Sequence, residues 1–193
     1  MSSPHRSSLV FASPIGFLRV TATRDHLVEV KLRAPEQDDR LLDDAATTLC
    51  RRARQEIEAF LAGDLQQFVV PWRIFGDRLK QRVLGAMAKI PYARTVTYGG
   101  LAQRAGESVG ASRVVGAICG SNPLPLVIPC HRVLGAQGLG GFGGGIAMKR
   151  WLLQLEITGR PPRPLTPEEI AAPKEEMPVP AVTEGRQQSL FDD

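Results

Sequence analysis

The sequence predicts an α/β fold in two domains, a small N-terminal sheet with one helix and a helical C-terminal domain. Three observations indicate this arrangement. Strand-like runs separated by turn signals occupy residues 8–32, and a helical repeat of apolar residues follows them. From Asp77 onward the chain changes to short helical stretches punctuated by glycine. We therefore predict an N-terminal domain at residues 1–76 and a C-terminal domain at residues 77–160.

The N-terminal domain begins with an antiparallel meander. Residues 8–11 and 18–23 are strand-like and are joined by the turn sequence S-P-I-G at residues 13–16. Residues 27–32 alternate apolar and polar side chains, which is typical of a half-buried strand. This domain contains no constellation of reactive side chains, so we interpret it as a scaffold.

The helix of the N-terminal domain is predicted after a polar loop at residues 33–44. Gly63 ends the helical repeat, as glycine often does at a helix C-terminus. Residues 68–71 predict a further edge strand, because Pro71 has no N–H to donate to a neighbour. The apolar positions of the helical repeat are Leu49, Ala53, Ile57, Phe60 and Leu61.

The C-terminal domain begins with a predicted helix at residues 77–88. Thr97 is a suitable N-cap for a second helix at residues 99–105, and a third helix is predicted at residues 111–119. The last two helices are typical of a helix-turn-helix, and the pattern is equally compatible with a plain pair of packed helices. Small residues on the third helix would let its backbone approach a surface closely, with Arg113 projecting from that face.

A cysteine and a histidine follow an apolar run that ends in proline. The run at residues 126–128 predicts a buried strand, and Pro129 stops its pairing, so Cys130 is presented at a strand end. His131 is placed to generate the thiolate, which is the reactive form of cysteine. A buried structural cysteine beside an ordinary histidine has the same local pattern.

A glycine-rich loop at residues 135–145 follows the Cys-His pair. It lacks the G-K-[ST] and G-x-G-x-x-G patterns of nucleotide-binding loops, so we interpret it as a flexible lid on the cysteine pocket. An amphipathic helix is predicted next, at residues 147–156. It ends in Glu156, whose charge opposes the helix dipole, and we predict that His131 is the partner of this carboxylate.

Composition and charge limit the class of protein. No apolar run is long enough for a transmembrane helix and the first residues do not resemble a signal peptide, so we expect a cytoplasmic protein that does not bind membranes. The three cysteines are odd in number and lack C-x-x-C spacing, which argues against a disulfide framework and a zinc site. The net charge of +4 divides into +8 for residues 1–160 and −4 for residues 161–193, and a basic body is compatible with a polyanionic partner.

The motif P-C-H-R-V at residues 129–133 has Asn122 upstream, and the glycine-rich loop and the sequence W-L-L-x-x-E at residues 151–156 downstream. In this combination the chain resembles the O6-alkylguanine-DNA alkyltransferases, also called methylated-DNA–protein-cysteine methyltransferases, over residues 8–156. The resemblance implies an RNase-H-like α/β domain, then a helical domain with a winged-helix-like helix-turn-helix that carries the active-site cysteine. It also implies direct-reversal DNA repair, in which an alkyl group passes from O6-alkylguanine, and from O4-alkylthymine, to the protein without a cofactor.

The resemblance implies a role for each residue of the site. Cys130 would accept the alkyl group in a single turnover, His131 would act as a base through a bridging water, and Glu156 would fix the tautomer of the histidine. Asn122 would brace the turn before the cysteine, and Tyr98 would donate to the departing guanine. The residues implied to bind the base are Val133, Phe142 and Gly143, through the carbonyl of the first and the N–H of the last.

The resemblance also implies how the protein meets DNA. Arg113 matches an arginine that fills the gap left when the damaged nucleotide is flipped out of the duplex. Binding would be through the minor groove of double-stranded DNA, where small residues fit and sequence readout is poor, and single-stranded DNA would also bind. The other residues of this helix implied to contact DNA are Ala111, Ser112, Val114 and Gly116.

The chain departs from the family pattern at several positions. The link at residues 107–112 is one residue longer than in well-known members, and Val114 stands where a smaller residue is common. Gly143 replaces a serine found in some members, which leaves the backbone N–H as the contact. Positions that hold zinc ligands in some members are Thr23 and Val28 here, so we predict no metal.

Residues 161–193 lie outside the resemblance. They are rich in proline and acidic residues, which predicts a disordered or extended segment. The segment ends in Q-Q-S-L-F-D-D, which resembles the short peptide by which bacterial repair proteins dock on the DNA sliding clamp, with Gln187, Leu190 and Phe191 as the contacts. A chance apolar pair near a terminus has the same pattern.

Two other functions fit part of the sequence pattern. A lesion sensor that binds alkylguanine without removing it needs no nucleophile, so the presence of Cys130 argues against it. A cysteine hydrolase needs an oxyanion hole, for which the sequence has no separate motif.

Overall fold

The computed structural model describes residues 6–36, 39, 41 and 43–172, and its N-terminal part is an antiparallel sheet covered by a helix. The sheet confirms the predicted meander, since its three strands follow one another in space as they do along the chain. Val20 on the central strand is opposite Leu9 on one side and Val30 on the other. The strands are β1 (Ser7–Phe11), β2 (Leu18–Ala22) and β3 (Leu27–Leu32).

Helix α1 (Asp44–Ala62) packs its apolar face against this sheet. Its first turn is capped by Asp43, whose carboxylate accepts from the N–H of Ala46 at 2.8 Å. Gly63 ends the helix in the left-handed region, with φ of 87°. The predicted helix and its end are therefore confirmed. The residues that it buries are Ala46, Thr47, Cys50, Ala53, Ile57, Phe60 and Leu61.

The segment after α1 does not form the edge strand predicted at residues 68–71. Two of its amide groups donate to the carboxylate of Glu56 on α1, at 2.8 and 2.9 Å, so these donors are not available to a sheet. Pairing with β3 is reduced to an isolated bridge between Trp72 and Leu27.

The C-terminal part contains the three helices predicted from periodicity and capping residues. Asp77 and Thr97 are the N-caps of the first two, since each side chain accepts from a backbone N–H in the first turn. A 3₁₀ turn at Val109–Ala111 leads into the third. The helices are α2 (Arg78–Ala88), α3 (Tyr98–Arg104) and α4 (Ser112–Gly120).

Residues 126–128 are buried, but they do not form the predicted strand. The chain folds there into turns, in which Ile128 N–H donates to Leu124 O at 2.8 Å. Prolines at positions 123, 125 and 129 lack the N–H groups that a sheet requires, which explains why an aliphatic run does not become a strand here. Regular pairing occurs instead between the short parallel strands β4 (Val96–Thr97) and β5 (Val133–Leu134).

Helix α5 (Ile146–Thr158) extends two residues beyond the predicted end at Glu156. In the described part of the chain no helix is both long and apolar enough to cross a membrane.

Residues 161–172 fold back onto the rest of the protein, although composition predicts an extended segment from Pro161. The indole of Trp151 donates to Arg163 O at 2.9 Å, and Leu165 N–H donates to Pro14 O at 2.8 Å. These long-range contacts, together with the short helix α6 (Pro167–Ala171), order a segment whose composition alone indicates no structure. The clamp-binding prediction at Gln187, Leu190 and Phe191 lies outside the described residues.

Candidate active site around Cys130

Cys130 opens a 3₁₀ turn at Cys130–Arg132 and has 8% of its surface exposed. Pro129 before it has φ of −81° and ψ of 71°, an inverse γ-turn in which Cys130 N–H donates to Ile128 O at 2.9 Å. The cysteine lines a cavity of about 290 Å³ together with Asn122. The thiol of Cys130 therefore borders a pocket, and it is presented by a turn and not by the predicted strand end.

Asn122 braces the turns that precede the cysteine. Its Nδ2 donates to Ile128 O at 2.8 Å, and its Oδ1 accepts from Leu124 N–H at 3.0 Å. Burial raises the pKa of the Cys130 thiol, and a hydrogen bond with Asn122 acts against that rise. Asn122 therefore holds the turns before Cys130 in place, and its hydrogen bond acts in favour of the ionised thiol.

His131 and Glu156 form a pair that is shielded from solvent. Nε2 of His131 lies 2.7 Å from Oε1 of Glu156, and both side chains are buried. The other ring nitrogen, Nδ1, is buried and has no hydrogen-bond partner among the described residues. With Nε2 donating to the carboxylate, Nδ1 keeps its lone pair and is able to accept a proton.

Arg132 belongs to the site, although its sequence pattern does not identify it. Its Nε donates to both oxygens of Glu156 at 3.0 Å, and its Nη2 donates to Oε1 at 2.8 Å. Its Nη1 donates to Ile90 O at 2.7 Å. A buried carboxylate at a helix C-terminus is stabilised by a cation more than by a neutral histidine. The arginine of the P-C-H-R-V motif could have been predicted as that cation on this ground.

Burial and neighbouring charged groups determine the protonation states of Glu156, His131 and Cys130. Burial opposes the ionisation of Glu156, but hydrogen bonds from His131 and Arg132 outweigh it and lower the pKa of Glu156 to about 2. Burial lowers the pKa of His131 against the pull of Glu156, so the imidazole is neutral at neutral pH. Because burial raises the pKa of Cys130, the resting site holds a protonated thiol together with the neutral imidazole.

The glycine-rich loop forms another wall of the Cys130 cavity, through Phe142 and Gly143. The ring of Phe142 stands edge-on to that of His131, with centroids 6.5 Å apart. A Cβ added at Gly143 would meet nothing within 4 Å, so the wall is open there. The carbonyl of Val133 accepts from Nζ of Lys149 at 2.6 Å, which ties the segment after the cysteine to α5.

Tyr98 does not line the Cys130 cavity. It lines a neighbouring cavity of about 550 Å³, and its hydroxyl donates to Gly141 O at 3.4 Å, which is long for a hydrogen bond. The glycine-rich loop contributes to both cavities. The α4 residues that line the cavity of Tyr98 are Ser112, Arg113 and Gly116.

The residues predicted to contact DNA lie together at the start of α4. Arg113 and Val114 are exposed, the latter by 51%. Ala111 and Ser112 are partly exposed just before them. Gly116 lies against the ring of Tyr98, since a Cβ there would be 3.8 Å from that ring. The structure therefore gathers this predicted set on one end of the helix.

Comparison with known proteins identifies the family. The model of the 6-O-methylguanine DNA methyltransferase DNA binding domain matches residues 78–158. The methylated-DNA–protein-cysteine methyltransferase of Methanosarcina acetivorans is 35% identical over 150 residues, which are 76% of this chain and 96% of that protein. The chain belongs to the methylated-DNA–protein-cysteine methyltransferase family.

Other members of this methyltransferase family are similar over different lengths. The Mycobacterium tuberculosis H37Rv protein is 45% identical over 110 residues, and the match spans 66% of its length, slightly less than two thirds. The Haemophilus influenzae protein is 34% identical over 152 residues and is covered for 83% of its length. The crystal structure of Mycobacterium tuberculosis OGT in complex with DNA has a TM-score of 0.71 at 36% identity, covering 80% of this chain and 94% of that chain.

The match to the 6-O-methylguanine DNA methyltransferase DNA binding domain spans both α3 and α4, so these two helices lie within the matched domain. The α/β fold class, with an N-terminal sheet and helix and a helical C-terminal domain, is confirmed by the same comparisons.

Proposed function

We propose that this protein repairs DNA by moving the alkyl group of O6-alkylguanine, or of O4-alkylthymine, to the sulfur of Cys130. The observation that carries the proposal is the thiol of Cys130 at a cavity next to a neutral His131 whose Nδ1 has no partner among the described residues. Incubation with DNA that contains O6-methylguanine tests the proposal directly, because the methyl group must appear on Cys130.

The proposed transfer breaks the bond between the alkyl carbon and O6 of guanine and forms a bond between that carbon and Sγ of Cys130. The thiol proton passes through a bridging water to Nδ1 of His131, and guanine leaves as its anion. The anion takes a proton from water, and His131 returns its proton to the solvent. Glu156 accepts from Nε2 and stabilises the imidazolium that forms. Arg132 keeps the carboxylate ionised throughout, because its guanidinium contacts both carboxylate oxygens.

The departing guanine needs hydrogen-bond donors, and we assign that role to Tyr98. Its hydroxyl lies 3.4 Å from Gly141 O, on the glycine-rich loop that also lines the Cys130 cavity, and this position supports the assignment. The base must then extend from the Cys130 cavity towards that of Tyr98, along the glycine-rich loop. The carbonyls of Cys130 and Val133 and the N–H of Gly143 hold its edge, beside the ring of Phe142.

The proposed reaction occurs once per molecule. The product is a thioether, which has no easy hydrolysis route, so Cys130 is not regenerated.

A non-catalytic lesion sensor is the second candidate, and the braced, pocket-facing thiol argues against it. A cytoplasmic location is part of the proposal, supported by the free thiols of Cys50, Cys119 and Cys130.

We propose that α4 enters the minor groove of double-stranded DNA and that single-stranded DNA also binds. The exposed Arg113 and Val114, with the small residues Ala111 and Ser112 before them, allow a close approach to the groove. Arg113 lines the cavity next to that of Cys130, where it is placed to occupy the gap left by a flipped nucleotide.

Arg113→Ala is expected to slow repair of duplex DNA by about tenfold or more. Flipping a base costs a few kcal/mol in lost stacking, and in this variant no side chain fills the gap in the duplex to offset that cost. Reaction with free O6-benzylguanine needs no flipping and should keep its rate. Arg51→Ala removes an exposed arginine from α1 and serves as the control, with both rates unchanged. The single-turnover rates of each variant are measured on duplex DNA and on free O6-benzylguanine. Equal losses on both substrates would contradict the role of Arg113 in filling the gap left by the flipped nucleotide.

We propose that the last residues bind the bacterial sliding clamp through Gln187, Leu190 and Phe191. A synthetic peptide of residues 182–193 is expected to bind the clamp in a fluorescence anisotropy titration. Replacing Leu190 and Phe191 by alanine removes the apolar anchors and should abolish that binding. A peptide without affinity, or one with the same affinity after both replacements, would refute clamp binding.

A further inference from the structure

Residues 161–172 run from the end of α5 to the N-terminal sheet, and we call this segment the clasp. It lies after the matched DNA binding domain. Trp151 of α5 donates its indole N–H to Arg163 O, and Leu165 N–H donates to Pro14 O in the turn between β1 and β2. The clasp therefore has contacts with both domains.

Side-chain hydrogen bonds within the clasp fix its shape. Thr166 and Glu169 form a capping box at the start of α6, in which Thr166 N–H donates to Oε2 of Glu169 at 2.8 Å. Both terminal nitrogens of Arg163 donate to the same carboxylate, at 2.8 and 2.9 Å. Such a bidentate pair restricts the geometry more than a single contact does. The far end of the clasp therefore has a defined position.

The far end of the clasp packs against the edge of the sheet. A Cβ added at Gly16 would be 3.1 Å from Cδ1 of Ile170, so this apolar side chain covers the turn between β1 and β2. Ala172 O accepts from Nη2 of Arg33, the residue after β3, at 3.1 Å. The position of the Arg33 guanidinium therefore depends on the clasp.

Arg33 lies in turn against the end of the glycine-rich loop. A Cβ added at Gly145 would collide with Nη2 of Arg33, so the guanidinium lies directly on the backbone of this glycine. The preceding Gly144 is also close to the sheet, since a Cβ there would be 3.0 Å from Cδ1 of Leu32. The residues just before Gly144 form a wall of the active-site cavity. The clasp, Arg33 and this wall are therefore connected by direct contacts.

We propose that the clasp is a positioning element for the alkyl transfer and acts through Arg33. Its contact with Arg33 keeps the guanidinium against Gly145, and the loop then holds Phe142 at the cavity of Cys130. Without the clasp, the end of the loop separates more readily from β3 and the wall of the cavity is no longer fixed. The effect on repair rests on the proposed function, but the opening of the loop can be measured without DNA.

Removal of the clasp is expected to increase hydrogen–deuterium exchange in the glycine-rich loop. A protein that ends at Arg160 lacks the clasp, whereas a protein that ends at Lys174 keeps it and is the matched control. Exchange of the amides at residues 139–146 should be about tenfold faster in the first protein, because contacts worth about one hydrogen bond are lost. The control should exchange at the wild-type rate. The amides of α1 report the overall stability of each protein.

Arg33→Met tests the same contacts while the clasp stays in the chain. The substitution removes the donor to Ala172 O and is expected to increase exchange of the loop amides. The rate of transfer from O6-methylguanine DNA at saturating DNA should fall by about threefold to tenfold, whereas the affinity for DNA should not change. Lower stability alone would not separate rate from affinity. Arg24→Met changes an exposed arginine between β2 and β3 and should leave exchange, rate and affinity unchanged.

Three results would overturn the proposal. The first is loop exchange at the wild-type rate in the folded protein that ends at Arg160 or in Arg33→Met. The second is equal acceleration in α1 and in the loop, which would show only a loss of overall stability. The third is faster loop exchange with an unchanged rate of transfer.

The same measurements separate this inference from the proposed function. If the wild-type protein transfers no methyl group to Cys130 while the exchange results hold, the proposed function fails and the contact between the clasp and the loop stands. If the protein that ends at Arg160 does not fold, Arg33→Met decides the question.

Discussion

Cys130→Ala is expected to abolish methyl transfer from O6-methylguanine DNA while DNA binding persists. Ser112, Arg113 and Gly116, which are proposed to bind DNA, line a cavity other than that of Cys130, so the substitution leaves them in place. Burial raises the pKa of Cys50 to about 11 and that of Cys119 to about 12. Neither of these cysteines is next to a histidine in the sequence, so neither has the neighbouring base that the proposed mechanism requires. Transfer of a radiolabelled methyl group and binding by fluorescence anisotropy measure the two properties separately.

Cys50→Ala is the matched control, since Cys50 is buried between α1 and the sheet, away from the cavity of Cys130. It should transfer one methyl group per molecule, which is also the result expected of the wild-type protein. Label on the Cys130→Ala protein would show that another residue accepts the methyl group. Loss of DNA binding in that variant would place the cysteine in the DNA interface.

Glu156→Gln is expected to reduce both stability and transfer. The carboxylate accepts from Arg132, His131 and the N–H of Ala93, and removing its charge leaves a buried guanidinium without a counter-charge. Breaking one partner of a buried pair typically costs about 3–5 kcal/mol of unfolding free energy. The rate of transfer should fall as well, because the imidazolium formed during the reaction loses its stabilising partner.

The pH dependence of stability gives this prediction a sign. The pKa of Glu156 is about 2 in the folded protein, below the roughly 4.3 of an unfolded glutamate. Its stabilisation is therefore complete above about pH 4.3 and is lost as the pH falls towards 2. Urea unfolding across this range should show a steeper loss for the wild-type protein than for Glu156→Gln.

Glu58→Gln is the control for the loss of one glutamate charge. Glu58 pairs with Arg54 on the exposed face of α1, and such pairs contribute about 1 kcal/mol or less. If Glu156→Gln is no more destabilising than Glu58→Gln, the buried network does not have the role assigned to it.

Local patterns in the sequence predict most of the helices and strands, and they predict the pairing of His131 with Glu156 in the site. Capping residues such as Asp77, Thr97 and Gly63 mark helix boundaries because their effect is confined to a single turn. The pairing of Glu156 with His131 is also accessible, since a glutamate at a helix C-terminus requires a partner.

Local sequence patterns do not predict the features that depend on contacts between distant parts of the chain. The aliphatic run at residues 126–128 has the composition of a strand, and its turns depend on neighbouring prolines and on Asn122. Lys149 is a polar residue on a helix in the sequence, and nothing in the periodicity indicates that its charge is buried. Residues 161–172 are ordered by hydrogen bonds with Trp151 on α5 and with Pro14 near the start of the chain. Local sequence patterns do not predict contacts of this kind.

Intact-mass analysis and peptide mapping after incubation with excess O6-methylguanine DNA test the central claim most directly. The proposed mechanism predicts one added methyl group per protein molecule, located on the peptide that contains Cys130, and no further repair once that group is in place. Repair of several lesions by one molecule, or a methyl group on any other side chain, would contradict it.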